Sequence, residues 1–367
     1  MAAHPGTQQI LMDLVAIPSV GQEPVPEGRE GGEARVCRYL AGLLESAGVD
    51  CQMEDVLPGR PNLYAHLDRG CARTVILSAH TDTVPATDWE GDPFRPEEKD
   101  GLIFGRGSCD TKASLAAFTA VMLEAARKGA GEFNLIFAAV CDEEVSFAGS
   151  RAAAGRLRAD LAIVGEPTSL AVVHRHKGVM RFVLEARGRS CHSSTPEKGD
   201  NAIYRMSRAA LAVERLAGDW QQVRDADLGP RAISVTTISG GQAPNIVPDL
   251  CRADVDVRCL PGDRLEDLLE EVRARTGNDA AVLAPYMEGP ALDTDPEHPL
   301  VRRLAEASGR GLTCAPYATD APQYASRGIP AVVFGPGDVT LAHTPREHIR
   351  LAEVDECVTI LRRFLGM

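Results

Sequence analysis

The sequence predicts an α/β protein: a mostly parallel sheet with helices on both faces, carrying a smaller inserted α+β domain. Three observations lead there. Short, nearly continuous apolar runs alternate with helical patterns toward both ends of the chain. The middle third changes to two-residue alternation. A chain of 367 residues is also long for one core, at about 150 residues per domain.

Taken in order, apolar residues at helical spacing mark helices at Thr7–Ala16, Glu33–Ala47 (stopped by Gly48) and Lys112–Lys128 (stopped by Gly129). Residues 21–32, rich in Pro, Gly and Glu, read as a surface loop. The apolar runs Thr74–Ser78, Asn134–Val140, Leu161–Val164 and Ala331–Phe334 suit strands covered on both faces, as in a parallel sheet. A last helix spans about Val354–Leu365.

The middle has a different pattern. Val179–Ala186 reads as a strand, Asn201–Ala217 as an amphipathic helix and Ile233–Ser239 as a second strand. Leu250–Arg258 places Cys251, Ala253, Val255 and Val257 on one face and Arg252, Asp254, Asp256 and Arg258 on the other, a half-exposed antiparallel strand. A helix at Leu265–Arg275 and a strand at Ala280–Leu283 complete the order β-α-β-β-α-β, the split ferredoxin-like pattern. The expected division is residues 1–175 with 287–367 for the larger domain and 176–286 for the insertion.

Composition narrows the function. With 39 basic and 52 acidic residues the net charge is −13, which argues against nucleic acid as a partner, since phosphate binding calls for a basic face. Ten cysteines without a CxxC pair suit free thiols in a reducing cytoplasm. The apolar stretch Leu115–Ala126 is interrupted by Glu124 and falls short of the ~20 residues a membrane span needs. The first six residues lack the basic start and apolar core of a signal peptide.

The polar residues just beyond each core strand carry the chemistry. His80 and Asp82 come after the first run, Asp142, Glu143 and Glu144 after the second, and Glu166 after the third. After the fourth, Gly335-Pro336-Gly337 leads to His343, while Asp110 lies just before the Lys112–Lys128 helix. Open α/β sheets bind ligands beyond the carboxyl ends of their strands, so these imidazoles and carboxylates are expected to converge on a metal site. Nitrogen and oxygen ligands without thiolate suit catalytic zinc, with cobalt or manganese as substitutes. One histidine and one carboxylate per ion, with a shared carboxylate, accommodates two divalent ions and leaves positions open for water and substrate. Glu143 and Glu144 can point in different directions, one toward water as a base and one toward metal. Asp82 can hold the second nitrogen of His80.

These residues resemble a known family. His80-Thr81-Asp82-Thr83-Val84-Pro85, the run Gly105 to Lys112, Asp142-Glu143-Glu144 and Gly165-Glu166-Pro167-Thr168 are similar to segments of the M20 metallopeptidases, in the branch of acetylornithine deacetylase and succinyl-diaminopimelate desuccinylase. The resemblance runs from about Ile10 to Leu365. It implies a zinc-exopeptidase-like catalytic domain, one zinc on His80 and Glu166, a second on Glu144 and His343, and Asp110 between them. It further implies Glu143 as general base, Asp82 as the group orienting His80, and a cis peptide after Asp110. In the inserted domain, Cys191-His192-Ser193-Ser194-Thr195-Pro196 resembles the segment whose histidine stabilises the oxyanion in the partner subunit. Ala243 to Pro248, with Asn245, and Arg258 resemble substrate-binding positions, and the domain is implied to form a homodimer.

The expected substrate is a small N-acyl amino acid, with acetyl as the acyl group. Ala318-Thr319-Asp320-Ala321-Pro322 resembles the deacetylase pattern, and the arginine of the desuccinylase pattern is missing there. Asp320 would then face a cationic amine. Desuccinylase, acetylcitrulline or acetyllysine deacetylase, dipeptidase and carboxypeptidase activities remain alternatives, with a non-catalytic metal-binding scaffold beyond them. Arg258 has Asp254 and Asp256 on its own strand face, Asn245 can shape a turn, and His192 can be a loop hydrogen-bonder. Cys109 departs from the small residue common before the bridging aspartate.

Overall fold

Four apolar runs form the parallel centre of the main sheet. In a computed structural model describing residues 4–21, 23–26, 28–128 and 131–367, strands Asn134–Val140, Thr74–His80, Leu161–Val164 and Ala331–Val333 lie side by side in that order, all parallel. Gly129, expected to stop a helix, Gln22 and Glu27 of the expected surface loop, and Met1–Ala3 lie outside the described residues. The parallel strands are almost wholly buried because helices cover them. Ile10, Leu14, Leu40, Leu115, Phe118, Val121, Ile360 and Phe364 pack with Val75, Leu77, Phe137 and Ile163 in one core.

The sheet is mixed at its margins. The hairpin Asp50–Leu57 and Arg60–Leu67 pairs antiparallel onto Asn134–Val140, and Val333 pairs antiparallel with Val173. The hairpin is not among the predicted elements. Its outer strand carries Asp50, Glu54 and Asp55, is largely exposed, and shows no buried alternation. Helices Ala148–Arg156 and Pro299–Ser308 are likewise additional.

The chain divides into two compact units, one of residues 1–175, 293–313 and 319–367, the other of 176–292 and 314–318. In the second unit, strands Ala232–Gly240, Leu250–Cys259, Gly178–Arg187 and Ala281–Val282 are neighbours in that order, all antiparallel. Counted along the chain this is 2-3-1-4, the ferredoxin-like arrangement. Helices Ala202–Trp220 and Leu265–Thr276 supply Met206, Val213, Leu216, Trp220, Leu268 and Val272 to a core with Phe182, Leu184, Val255 and Val257. Asn201 caps the first of these helices by accepting from the Ile203 and Tyr204 amides at 2.9 and 3.4 Å. Among the described residues, no helix is long and apolar enough to cross a membrane.

Candidate metal centre and active site

The parallel strands end at one edge, and there the expected residues meet. His80 closes its strand, Glu143 and Glu144 follow Val140 by three and four residues, and Glu166 follows Val164 by two. Glycine makes the Glu166 turn fit. A Cβ on Gly165 would lie 2.5 Å from Ser114 Cβ, and one on Gly335 2.6 Å from Glu166 O, so both backbones pass where no side chain has room. His343 arrives on a loop, with φ of 62°.

Asp110 sits at the centre. Its Oδ1 is 3.0 Å from His80 Nε2 and its Oδ2 is 3.3 Å from His343 Nε2, so the carboxylate presents one oxygen to each imidazole. His343 Nε2 is also 3.0 Å from Glu144 Oε1, and His80 Nε2 is 3.8 Å from Glu166 Oε1. Potential ligand atoms of His80, Asp110 and Glu166 all lie within 4.8 Å of one another, as do those of Asp110, Glu144 and His343, and of His80, Glu143 and Glu144. The Asp110–Thr111 peptide is cis.

The electrostatics call for positive charge. Burial pushes the carboxyls of Glu143 and Glu166 well above the ordinary range, and nearby carboxylates add to it, Glu166 and Glu144 for the first, Asp110 for the second. Burial raises Glu144 too, with His343 opposing. Hydrogen bonding to Asp110 and Glu144 raises His343 to about 10. Burial works against the charge of His80, yet Asp110 and Asp82 hold its pKa well above the imidazole norm. Glu166 Oε1 is buried without a hydrogen-bond partner. An orphaned carboxylate oxygen facing an imidazole and a second carboxylate, in an all-nitrogen-and-oxygen donor set, fits a divalent cation.

Around the donors lies a layer of groups that fix backbone. Asp82 is fully buried and its two oxygens accept the Glu143 and Glu144 amides, each at 3.1 Å. The nearer partner of His80 Nδ1 is the Asp82 carbonyl at 3.0 Å, with the carboxylate at 3.5 Å. Glu33 accepts the Asp142 amide at 2.9 Å. Arg60 pairs with Glu33 and, at 2.6 Å, with Asp142. Asp142 has φ of 64°, an uncommon conformation for a non-glycine residue that these contacts hold in place. Glu347 Oε1 accepts the Cys109 and Asp110 amides at 2.9 and 3.0 Å. The sequence reading missed Glu33, Arg60, Arg106 and Glu347. The only available signal was position: Arg106 inside the run from Gly105 to Lys112, and Glu347 four residues after His343.

The other expected residues have environments of their own. His192 is exposed, and its Nδ1 accepts the Ser194 amide at 3.2 Å and lies 2.7 Å from Ser194 Oγ. An accepting Nδ1 leaves the proton of the neutral ring on Nε2. Asn245 is exposed, and its carbonyl accepts the Ser193 amide at 3.0 Å. Arg258 takes up its strand neighbour, with Nε 2.7 Å from Asp256 Oδ1. Asp320 is 1% exposed and neither carboxylate oxygen has a well-formed hydrogen bond. Burial raises it to about 7, with the Ser150 hydroxyl and His80 opposing.

A parallel α/β sheet whose strand ends gather two histidines and a cluster of buried carboxylates defines a metal-dependent hydrolase. Comparison with known proteins then fixes the family. The description Peptidase family M20/M25/M40 matches residues 76–366, and the chain belongs to that family, whose members are hydrolases of amide bonds that use divalent metal ions. An acetylornithine deacetylase of Myxococcus xanthus is 33% identical over 379 residues, covering 98% of this chain and 96% of that protein. An acetylornithine deacetylase of Proteus mirabilis is 32% identical, covering 95% and 92%. Among solved structures, an M20 family metallo-carboxypeptidase from Sulfolobus solfataricus superposes with a TM-score of 0.82 at 18% identity, covering 99% of both chains. That last likeness is one of fold.

Proposed function

We propose that the protein removes an acetyl group from the amino nitrogen of a small amino acid such as ornithine, using two zinc ions. One observation carries this reading: the Asp110 carboxylate offers one oxygen to each of two imidazoles, with Glu143 buried beside them. His80 and Glu166 would hold one ion, Glu144 and His343 the other, and Asp110 would serve both. Such a pair supplies polarisation of the acyl carbonyl and acidification of water, and cobalt can substitute.

Glu143 is the base. A carboxylate exposed beside two cations would be too weak a base, but burial raises this one and so opposes the acidifying effect of the cations. Its carboxylate accepts the proton of the attacking water and passes it to the departing amine. Asp82 holds the two amides that set the direction of Glu143 and Glu144. His192, with its proton on Nε2, would donate to the developing oxyanion in the partner subunit, and Asn245 and Arg258 would contact the substrate. The inserted domain, residues 176–286 by sequence, would serve in dimerisation, with residues 1–175 and 287–367 as the catalytic domain. A groove of about 600 Å³ lined by Ala210, Leu211, Val235 and Ile238, beside the edge strand Ala232–Gly240, supports docking of a second copy. The ten cysteines form no disulfide, which supports a reducing compartment, the cytoplasm.

Several relatives named acetylornithine deacetylase support acetyl over succinyl. Initial rates on N-acetylornithine, N-acetylcitrulline, N-acetyllysine, succinyl-diaminopimelate and a dipeptide test it, with zinc- or cobalt-loaded protein and Glu143→Gln as blank. An acetylated amino acid should lead by about a hundredfold in kcat/KM, or ~2.7 kcal/mol. A lead for the succinyl compound or the dipeptide would overturn the substrate assignment.

A further inference from the structure

The segments carrying Asp110 and His343 are far apart in sequence and are joined by a short antiparallel ladder, Leu102–Phe104 on His348–Arg350. Between that ladder and the donors stands an ion pair. Arg106 Nη1 is 2.6 Å from Glu347 Oε2, with the two side chains 4% and 1% exposed. We propose that Arg106 and Glu347 are positioning residues that clamp the two loop segments bearing Asp110 and His343, and so set the affinity for the ion that Glu144 and His343 would hold. The proposal rests on the two-ion reading of the site.

The contacts reach both segments. Glu347 Oε1 accepts two consecutive amides, Cys109 and Asp110. Its own carbonyl accepts the Gly105 amide at 3.2 Å. Arg106 donates to Thr344 O, next to His343, at 3.4 Å, and to Pro85 O at 3.2 Å. A buried ion pair adds little net stability, because desolvation offsets the attraction, and here Arg106 Nε is buried without a partner. An apolar pair of equal volume would pack as well but could not accept two adjacent N–H groups. Fixing backbone is therefore what these charges contribute.

The other half of the centre has separate ties. Thr111 Oγ1 donates to Gly165 O at 2.8 Å, and the Gly165 amide donates to Ser78 O at 2.7 Å. These bonds join Asp110's neighbour to the strands bearing His80 and Glu166. His80 is buried, whereas the His343 side chain is 51% exposed on its loop. Loss of the clamp should accordingly fall on one ion.

The test is titration with zinc at buffered free concentrations, counting ions per folded chain, for wild type, Glu347→Gln and the double variant Arg106→Met with Glu347→Met. Glu347→Gln keeps an acceptor oxygen but loses the charge that holds Arg106, and should weaken one ion about tenfold. The double variant removes both buried charges, and should weaken the same ion 10- to 100-fold, the range for lost supporting groups. The other ion should stay within about threefold, and its cobalt absorption spectrum should be unchanged. If the double variant does not fold, Glu347→Gln decides. Equal weakening of both ions, or no weakening in a folded variant, overturns the clamp. Uptake of one ion by wild type overturns the two-ion reading and the clamp with it, whereas two ions in wild type leave the variants testing the clamp alone.

Discussion

Replacing Asp82 by asparagine removes one charge and almost no volume at the point where the proposed base and a proposed metal ligand are aimed. Both oxygens of Asp82 are engaged, one by each of the Glu143 and Glu144 amides at 3.1 Å, and the side chain is fully buried. Asparagine can accept only one of these bonds. Its NH2 group must face the other N–H, leaving two donors opposed. A hydrogen bond to a charged group contributes ~1.5–3 kcal/mol, and a stranded buried donor costs ~1–3 kcal/mol. Asp82→Asn should therefore lower unfolding free energy by about 3 kcal/mol. Because the same amides direct Glu143 and Glu144, kcat should fall ~10–100-fold, the range for lost supporting groups at metal sites, with KM nearly unchanged. The assay pairs urea unfolding with initial rates on N-acetylornithine at saturating zinc, the only condition that separates kcat from ion loss. A folded variant with two ions bound, kcat within twofold of wild type and unchanged stability would refute the reasoning.

Three further outcomes are expected. Glu143→Gln should keep both ions by zinc titration yet lose ~10²–10⁴-fold in kcat, the size of a general-base contribution. Ile238, exposed on the edge strand, should on conversion to Asp turn a dimer into a monomer in sedimentation. His176 is wholly buried, and burial lowers its pKa from 6.5 to about 4. Its folded pKa lies below its unfolded one, so its contribution is complete above pH 6.5 and is lost as pH falls toward 4. This group alone should remove up to about 3 kcal/mol over that window, and His176→Gln should flatten the slope in urea melts.

How far the sequence alone carries depends on whether burial leaves a mark in it. Strands such as Asn134–Val140 are covered on both faces and read as unbroken apolar runs, so their ends, and the polar residues just beyond, are visible at once. The edge strand Asp50–Leu57 is exposed and polar, and Ala148–Arg156 is a helix of small residues with Gly149 and Gly155 inside it. Neither has a pattern to recognise. Of the proposed donors, His80, Glu144, Glu166 and His343 stand out by their positions after core strands, and Asp110 by its place just before the Lys112–Lys128 helix. Arg60, Glu33, Arg106 and Glu347 do not, because a charged residue next to loops reads as solvated surface until burial is known. The limits of the inserted unit differ from expectation for a related reason. The chain crosses between units again at 314–318, a stretch too short to carry periodicity.

Asp320 separates a reading by motif from a reading by environment. By motif it faces a cationic amine on the substrate. By environment it is 1% exposed, its pKa is raised to about 7 by burial, with Asp82 and Asp142 also raising it, and its charge in turn raises Glu143 and Glu166. A carboxyl half-protonated near neutral pH and shut away from solvent is a poor partner for an amine, which would have to shed its own hydration to reach it. Asparagine mimics the protonated form. If burial decides, Asp320→Asn should leave the KM for N-acetylornithine within about twofold and leave unchanged its ratio to the KM for N-acetylcitrulline, whose side chain is neutral. If the amine pairs with Asp320, KM for acetylornithine alone should rise at least tenfold, about 1.4 kcal/mol. Matched KM measurements on the two substrates decide between them, because a general disturbance of the centre would move both values together.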